Sequence, residues 1–161
     1  MFTLNNKKIV KVSGKILFFL CIFVLFSNLY SEDILWLTDF KLAKQQSEKE
    51  QLPIFINFTG SDWCPYCIKL ENEVFSKQKF IKYVKGNFIL LKIDFPVKNP
   101  LPEKILNGHK KLAEKYKIKE FPAVVFLTKD GEFILKTGYR AGGVDSYISF
   151  LKIVKKLVYS L

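Results

Sequence analysis

Two cysteines, Cys64 and Cys67, stand three positions apart near the middle of this 161-residue chain. Such a pair can carry out disulfide exchange, because a thiolate attacks a disulfide and a second thiol then resolves the mixed disulfide. The attacking cysteine must be ionised and reachable by substrate, and the N–H groups and dipole of a helix N-terminus stabilise its charge. Pro65 suits the first turn of such a helix, where no N–H is required. The spacing therefore predicts Cys64 as the nucleophile and Cys67 as the resolving cysteine.

Two other roles for this pair stay open from the residues alone. A structural zinc site needs four ligands, and His109 is the only further soft or imidazole ligand after residue 31, so no metal is expected. The helical spacing of His109 from Leu112 and Tyr116 favours a helix-surface or core-edge position over catalysis. A structural disulfide would close so short a loop that it removes little entropy from the unfolded chain. In that last case the chain would be a binding or chaperone module with an inert disulfide.

The first 31 residues have the pattern of an export signal. An apolar run over residues 16–26 follows four lysines: Lys7, Lys8, Lys11 and Lys15. Eleven helical residues span roughly 16 Å, well short of a hydrocarbon layer of about 30 Å. A signal peptide cut after Ser31 is therefore favoured over an uncleaved anchor. The expected location is periplasmic or otherwise exported, with one domain over residues 32–161.

The charge pattern bears on possible partners. Four of the 26 basic residues lie in the signal segment, which leaves 22 against 15 acidic residues, a formal net charge of +7. The lysines are scattered between apolar residues and interleaved with glutamates, and Arg140 is the only arginine. This pattern favours solvated helix faces over a nucleic-acid surface, so no nucleic-acid partner is expected.

Residues 32–161 alternate between strand and helix patterns, which predicts one α/β domain with a central sheet flanked by helices. The predicted strands are residues 34–37, 54–58, 88–94, 123–128 and 133–139. The first predicted helix has Thr38 or Asp39 as its N-cap and reaches about Gln51. The other predicted helices are the segment that follows Cys64, residues 77–85, residues 109–117 with Asn107 as the cap, and the segment from Val144 to the C-terminus. Residues 95–108 are expected to be irregular. The cysteine pair thus lies where a strand leads into a helix, and the turn at 129–131 predicts a hairpin.

The segment from Phe58 to Leu70 resembles the active-site segment of thioredoxin-like proteins, particularly the exported bacterial thiol:disulfide interchange proteins. The resemblance extends from about Ile34 to the C-terminus and includes the Phe121-Pro122 pair before a predicted strand. It implies a thioredoxin-like fold with a mixed sheet and a protein-disulfide oxidoreductase activity that needs no cofactor. It also implies that Pro122 is cis and faces the cysteines, and that Phe121 and Pro122 offer backbone to an extended substrate.

The resemblance implies further features of the activity. The substrates would be protein thiols and disulfides, a membrane protein would donate or accept electrons, and the reaction would be reduction or isomerisation. Trp63 and Tyr66 either form an apolar rim for substrate or pack against the helix. Glu71 and Glu73 are expected to be solvated helix residues. The sequence predicts no oligomeric state.

This chain also departs from thioredoxin itself. Asn57 occupies the position where thioredoxins bury an aspartate that helps deprotonate the resolving cysteine, and an amide cannot act as a base at neutral pH. The Pro65-Tyr66 pair is common in glutaredoxins, and residues 142–145 resemble their glutathione-binding turn. A glutathione-dependent, glutaredoxin-like reductase is therefore the alternative enzyme.

Overall fold

The structure is a computed structural model that describes residues 36–160. The predicted signal peptide over residues 1–31, its cleavage site and the predicted start of the domain at residue 32 lie outside the described residues. Within residues 36–160, no helix is both long and apolar enough to cross a membrane.

Helices and strands alternate along the described chain. In order they are α1 (Phe40–Glu50), β1 (Ile54–Thr59), α2 (Pro65–Leu70), α3 (Gln78–Val84), β2 (Ile89–Asp94), α4 (Glu103–Lys115), β3 (Ala123–Leu127), β4 (Phe133–Thr137) and α5 (Gly143–Val158). One π-helical turn, Glu71–Phe75, continues α2. The strand order is β2-β1-β3-β4, with β1 parallel to β2 and the other two pairs antiparallel. The predicted α/β fold with a mixed central sheet is confirmed.

The two faces of the sheet bury two separate cores. Every residue of β1 is buried, because successive side chains alternate between the two faces and helices cover both. Phe55 lies at the centre of one core, beneath α2, α3 and α5, and its ring contacts Phe75, Phe80 and Phe126 at centroid distances of 5.0–6.1 Å. The opposite core packs the other face of the sheet against α1 and α4. The C-terminal end of β1 is therefore held firmly in the middle of the domain, and the cysteine segment follows it.

Several local predictions are confirmed. Asp39 caps α1, since its carboxylate accepts a hydrogen bond from the Leu42 N–H at 2.9 Å. β3 and β4 form the predicted antiparallel hairpin, although β4 ends at Thr137 rather than at residue 139.

Two predicted elements are wrong in extent. Of the strand predicted over residues 34–37, the described part forms only one bridge, between Leu37 and Leu91. Helix α4 begins at Glu103, six residues before the predicted start at His109, so residues 103–108 are not irregular and Asn107 is not a cap. The buried or half-buried face of α4 runs with helical spacing straight past Asn107 and Gly108: Leu106, His109, Leu112, Ala113 and Tyr116. The continuous apolar face outweighs the low helix propensity of those two exposed residues.

Candidate active site

Cys64 stands at the junction between β1 and α2. It is the N-cap residue of α2, with extended backbone angles, and its Sγ accepts a hydrogen bond from the Cys67 N–H at 3.3 Å. Pro65 takes the first helical position, as predicted. Both cysteines are free thiols. The strand-to-helix junction expected from the sequence is therefore present, and it brings a backbone donor to the sulfur of the first cysteine.

Cys67 lies one turn further, on the buried side of α2. Its Sγ accepts a hydrogen bond from the Gly60 N–H at 3.5 Å. Burial, the largest cause, and the hydrogen bond with the Cys64 thiol raise the pKa of the Cys67 thiol from 9.0 to about 11, a net value that includes the lowering effects of the Gly60 N–H and the Thr59 side chain. This thiol is therefore protonated at neutral pH.

The two cysteines are less accessible than their neighbours. Each is only 4% exposed, while Trp63 is 45% and Tyr66 is 58% exposed. A nucleophile must be reachable by substrate, but the Cys64 sulfur is turned towards the Cys67 N–H and is nearly covered. The exposed aromatic side chains on either side are the surface that an approaching molecule meets first.

Trp63 both packs against the protein and stays half exposed. Its indole Nε1–H donates to the Phe95 carbonyl at 2.8 Å, and its ring lies edge-on to Phe121 at a centroid distance of 5.8 Å and an angle of 90°. The ring also lies so close to Gly60 that a Cβ there would stand 2.5 Å from Nε1. Trp63 thus links the cysteine segment to the loop after β2 and to the residue before Pro122.

The Phe121–Pro122 peptide bond is cis, as the resemblance implies. Pro122 itself is buried, and Gly138 on the segment after β4 lies beside its carbonyl. A groove of about 490 Å³ opens next to this loop. Its lining carries three lysines and one glutamate besides Pro122: Lys117, Lys119, Glu120 and Lys136. A peptide that binds along this loop would therefore meet a mainly basic wall.

Tyr66 rests on a second group of side chains, on the segment after β4. Its ring lies 5.5 Å from that of Tyr139, whose hydroxyl donates to the Glu73 carboxylate at 2.7 Å. The Lys69 ammonium lies 5.2 Å from the Tyr139 ring centroid and 3.9 Å from Glu73. The Glu73 side chain is 39% exposed, so it stays partly solvated, as predicted, while it takes part in this cluster.

A set of hydrogen bonds that the sequence did not predict anchors the turn before Trp63. Ser61 donates its backbone N–H and its hydroxyl to the two carboxylate oxygens of Asp94, at 3.0 and 2.6 Å. Asp62 accepts from the backbone N–H groups of Val97 and Lys98, the latter at 2.7 Å. These hydrogen bonds lower the pKa of the Asp62 carboxyl, and the bond from the Val97 N–H has the largest effect. Ser61 and Asp62 are typical of a turn, which the sequence shows locally. Their hydrogen-bond partners lie 33 to 36 residues away along the chain.

The polar residues beneath α2 differ from a thioredoxin acid–base pair. Asn57 is buried two residues before Thr59, on the face of β1 that α2 covers, and its Oδ1 has no hydrogen-bond partner among residues 36–160. Lys92 is its register partner on β2. Glu71, predicted to be solvated, is half-buried. Burial raises the pKa of Glu71, which the charge of Lys92 partly offsets.

His109, for which the sequence predicts a helix-surface or core-edge position, is buried and so does not lie on the helix surface. Its Nδ1 lies 2.8 Å from the Asp94 carbonyl, and its ring contacts Phe95 at a centroid distance of 5.9 Å. The histidine therefore supports the loop after β2 from below. Across the described part of the chain, no three His, Cys, Asp or Glu side chains are grouped as metal ligands.

Comparison with known proteins identifies the family. A family described as a thioredoxin-like domain matches residues 39–148. The disulfide bond reductase DsbH of Chlamydia pneumoniae is 33% identical over 115 residues, which are 71% of this chain and 69% of that protein. The thioredoxin-related protein DsbJ of Chlamydia pneumoniae is 33% identical over 111 residues, 69% of this chain, which spans only about a third (32%) of that protein. A solved structure of DsbH oxidoreductase has a TM-score of 0.71 and 30% identity, covering 79% of this chain and 85% of that one. This chain therefore belongs to the thioredoxin-like family and is a protein-disulfide oxidoreductase.

Proposed function

We propose that this chain is an exported reductase of protein disulfides, with Cys64 as the nucleophile and Cys67 as the resolving cysteine. One observation carries the assignment of roles: Cys64 caps α2, and the Cys67 N–H donates to its sulfur at 3.3 Å. That N–H is placed to donate to the sulfur that attacks the substrate disulfide. Cys67 is buried one turn inside and stays protonated at neutral pH, which suits the second step rather than the first.

The reaction proceeds in two exchanges. The Cys64 thiolate attacks one sulfur of a substrate disulfide, forms a mixed disulfide, and expels the other sulfur as a thiolate, which takes a proton. The Cys67 thiolate then attacks Cys64 Sγ, so the mixed disulfide breaks and the Cys64–Cys67 disulfide forms. The substrate has gained two electrons and two protons. A membrane electron donor is the partner that we propose to reduce the enzyme disulfide again.

The same proposal assigns the substrate contacts. Trp63 and Tyr66 offer exposed aromatic surface on either side of the cysteines. Phe121 and Pro122 offer backbone for an extended segment of substrate, next to the basic groove. Protein substrates are favoured over glutathione, because a relative of similar length is named a disulfide bond reductase.

A trapping experiment tests the roles of the two cysteines. Cys67→Ser leaves the first exchange intact and removes the second, so this variant accumulates covalent adducts that a reducing agent dissolves. Cys64→Ser is the matched control and gives few adducts, because Cys67 is buried and protonated. Non-reducing gels of the exported fraction, with the adducts identified by mass spectrometry, give the result. Adducts that are absent from Cys67→Ser, or equal in both variants, would point to an inert disulfide in a binding module. An adduct of glutathione alone would favour the glutaredoxin-like alternative.

Export is tested separately on the protein from its native host. The mature chain should begin near Glu32 and lie outside the cytoplasmic membrane, because the lysines and the short apolar run have the pattern of a cleaved signal. N-terminal sequencing after cell fractionation makes the measurement. A soluble cytoplasmic protein that starts at Met1 would contradict export, whereas a membrane-bound protein that starts at Met1 would indicate an uncleaved anchor.

A further inference from the structure

We propose that the groove beside Pro122 binds an acidic stretch of the substrate protein, and that Lys117 and Lys119 are the residues that recognise its carboxylates. The inference rests on the proposed function, because it presumes that a substrate segment lies along the loop that contains Pro122. The resemblance to thioredoxin-like proteins implies a substrate along this loop. The charge of the groove, which comes from this chain's own residues, adds which substrates bind there.

The groove lies between two segments that the fold brings together. Residues 117–120 with 122 and 123, between α4 and β3, form one wall, and residues 136–138 at the end of β4 form the other. A Cβ on Gly138 would stand 3.4 Å from the Pro122 carbonyl oxygen, so the two walls meet there. Phe121, the residue before Pro122, contacts the ring of Trp63, which precedes the first cysteine. The groove therefore leads towards the cysteine pair.

Hydrogen bonds hold the first wall in place. The Lys117 N–H donates to the Glu114 carbonyl at 3.0 Å, and the Lys117 carbonyl accepts from the Lys136 ammonium at 2.8 Å. The same ammonium donates to the Tyr116 carbonyl at 3.3 Å. A cation at these carbonyls also suits the C-terminal end of α4, where the helix dipole is negative. This wall is therefore attached to β4, and an incoming segment orders little of the loop when it binds.

The positive charge of the groove is only partly balanced by the protein. Lys117, Lys119 and Lys136 line it together with the single carboxylate of Glu120, which leaves an excess of two positive charges. Both Lys117 and Lys119 are exposed, and neither forms a salt bridge with a carboxylate anywhere in residues 36–160. Carboxylates of a substrate would therefore gain these two ammonium groups as partners without displacing an existing ion pair.

An acidic polypeptide fits this groove better than a nucleic acid. Single-stranded nucleic acids are bound on stacking surfaces, but the described lining of the groove contains no aromatic side chain and no arginine. Apolar groups of Ile118, Pro122 and Ala123 lie between the charges instead. Such a lining suits the alternating side chains of an extended peptide. The substrate class is therefore a protein with aspartate or glutamate residues next to its disulfide.

Two peptides that carry the same disulfide test the charge of the substrate. One has glutamate at two positions on each side of the attacked cysteine, and the other has glutamine at those positions. Each exposed ion pair contributes up to about fivefold in affinity, so the full chain should reduce the glutamate peptide with a KM about tenfold lower at low salt. The kcat should be the same for both peptides. At an ionic strength of about 1 M, where the Debye length is about 3 Å, the two KM values should converge.

Variants with matched charge assign the effect to the groove. Lys117→Gln together with Lys119→Gln should reduce the difference in KM to about threefold or less. Lys152→Gln together with Lys156→Gln is the control, because it removes the same charge from α5, where these lysines line a separate groove. The control should keep the tenfold difference. Equal KM values for the two peptides would overturn the proposal, as would a difference that persists without Lys117 and Lys119 or that the control also loses.

A binding measurement separates this proposal from the proposed function. The full chain with Cys64→Ser and Cys67→Ser is titrated with the same peptides, labelled for fluorescence anisotropy and with serine in place of cysteine. If the wild type reduces neither peptide but the glutamate peptide still binds more tightly through Lys117 and Lys119, the recognition stands and only the proposed function is refuted. Equal binding of the two peptides would overturn the recognition itself. Competition by a single-stranded DNA of equal charge, as effective as the glutamate peptide, would also overturn it.

Discussion

The indole ring of Trp63 lies over the backbone of Gly60, with no room for a side chain between them: a Cβ on Gly60 would stand 2.5 Å from Nε1 and 2.7 Å from Cζ2. A shift of the ring away from Gly60 would break two contacts: the hydrogen bond from Nε1–H to the Phe95 carbonyl and the edge-on contact with Phe121. A glycine is thus required at position 60 because the Trp63 ring lies close to the backbone there, and not because the backbone angle is unusual. It is also the residue whose N–H bonds the Cys67 sulfur.

Gly60→Ala should therefore weaken both the fold and the activity. The added methyl group displaces the Trp63 ring and costs about 1–3 kcal/mol, as overpacking of a filled site does. It also disturbs the hydrogen bond to Cys67, so disulfide reduction should slow. Urea unfolding and a substrate-reduction assay make the two measurements.

Gly108→Ala is the matched control for that substitution. Gly108 lies inside α4, is exposed, and has no atom within 4 Å of an added Cβ. Alanine there should stabilise the protein by about 0.5–1 kcal/mol, because it raises helix propensity. Equal stability of Gly60→Ala and the wild type would show that the Trp63 ring moves away at no cost.

The lowered pKa of Asp62 predicts that this carboxyl contributes to the loss of stability in acid. Its pKa is lowered from 3.8 in the folded chain, first of all by the Val97 N–H hydrogen bond. When the pKa of a carboxyl is lower in the folded chain than in the unfolded chain, its charge stabilises the fold at any pH above the unfolded-state value. That stability is lost as the pH falls through the folded-state value, so the loss occurs below about pH 4. Asp62→Asn keeps an acceptor oxygen without this titration. Its urea midpoint should fall less steeply between pH 4 and pH 2 than that of the wild type, and equal slopes would contradict the assignment.

The junction that carries the cysteines was predictable because its signals are local. A short apolar strand, a polar turn, Pro65 after the first cysteine and buried spacing after the second all lie within residues 54–74. The anchoring of that junction was not predictable in the same way. The bond from Ser61 to Asp94 spans 33 residues, and it exists only because β1 and β2 pair in parallel with Thr59 opposite Asp94.

The wrong start predicted for α4 has a related cause. Asn107 and Gly108 have the local character of a helix start, yet α4 runs through them because the sheet buries the other face of that helix. Burial of His109 likewise depends on how α4 is rotated against the loop after β2. Local patterns report helix and strand character, whereas the face that is covered is decided by distant parts of the chain.

The redox potential should match a reductase rather than a strong oxidase. No histidine stands between the cysteines to stabilise a thiolate further, and a strongly stabilised reduced form is what makes a disulfide oxidising. The equilibrium with a glutathione buffer, read by alkylation of Cys64 and Cys67, gives the potential. We expect a value far below the strong-oxidant end of the scale, and a potential near about −120 mV would contradict the reductive direction.

Tyr147 offers a test of the core behind the site. It is fully buried on α5 against Phe55 and Phe75, and its hydroxyl has no hydrogen-bond partner within the described residues. A buried hydroxyl without a partner loses its bonds to water on folding and gains nothing in return. Tyr147→Phe keeps the ring and removes that hydroxyl, so it should raise the free energy of unfolding by about 1 kcal/mol.

Tyr139→Phe is the matched control for Tyr147→Phe, because the Tyr139 hydroxyl has a hydrogen-bond partner and the Tyr147 hydroxyl has none among the described residues. The Tyr139 hydroxyl donates to Glu73 at 2.7 Å, beside Tyr66 at the active site, so the same chemical change removes a made hydrogen bond. It should lower the urea midpoint, or leave it unchanged, while Tyr147→Phe raises it. Because Tyr147 is remote from substrate, its variant should also keep the reduction rate of the wild type. Destabilisation by Tyr147→Phe would mean that its hydroxyl is paired in solution and that this core is more polar than its contacts indicate.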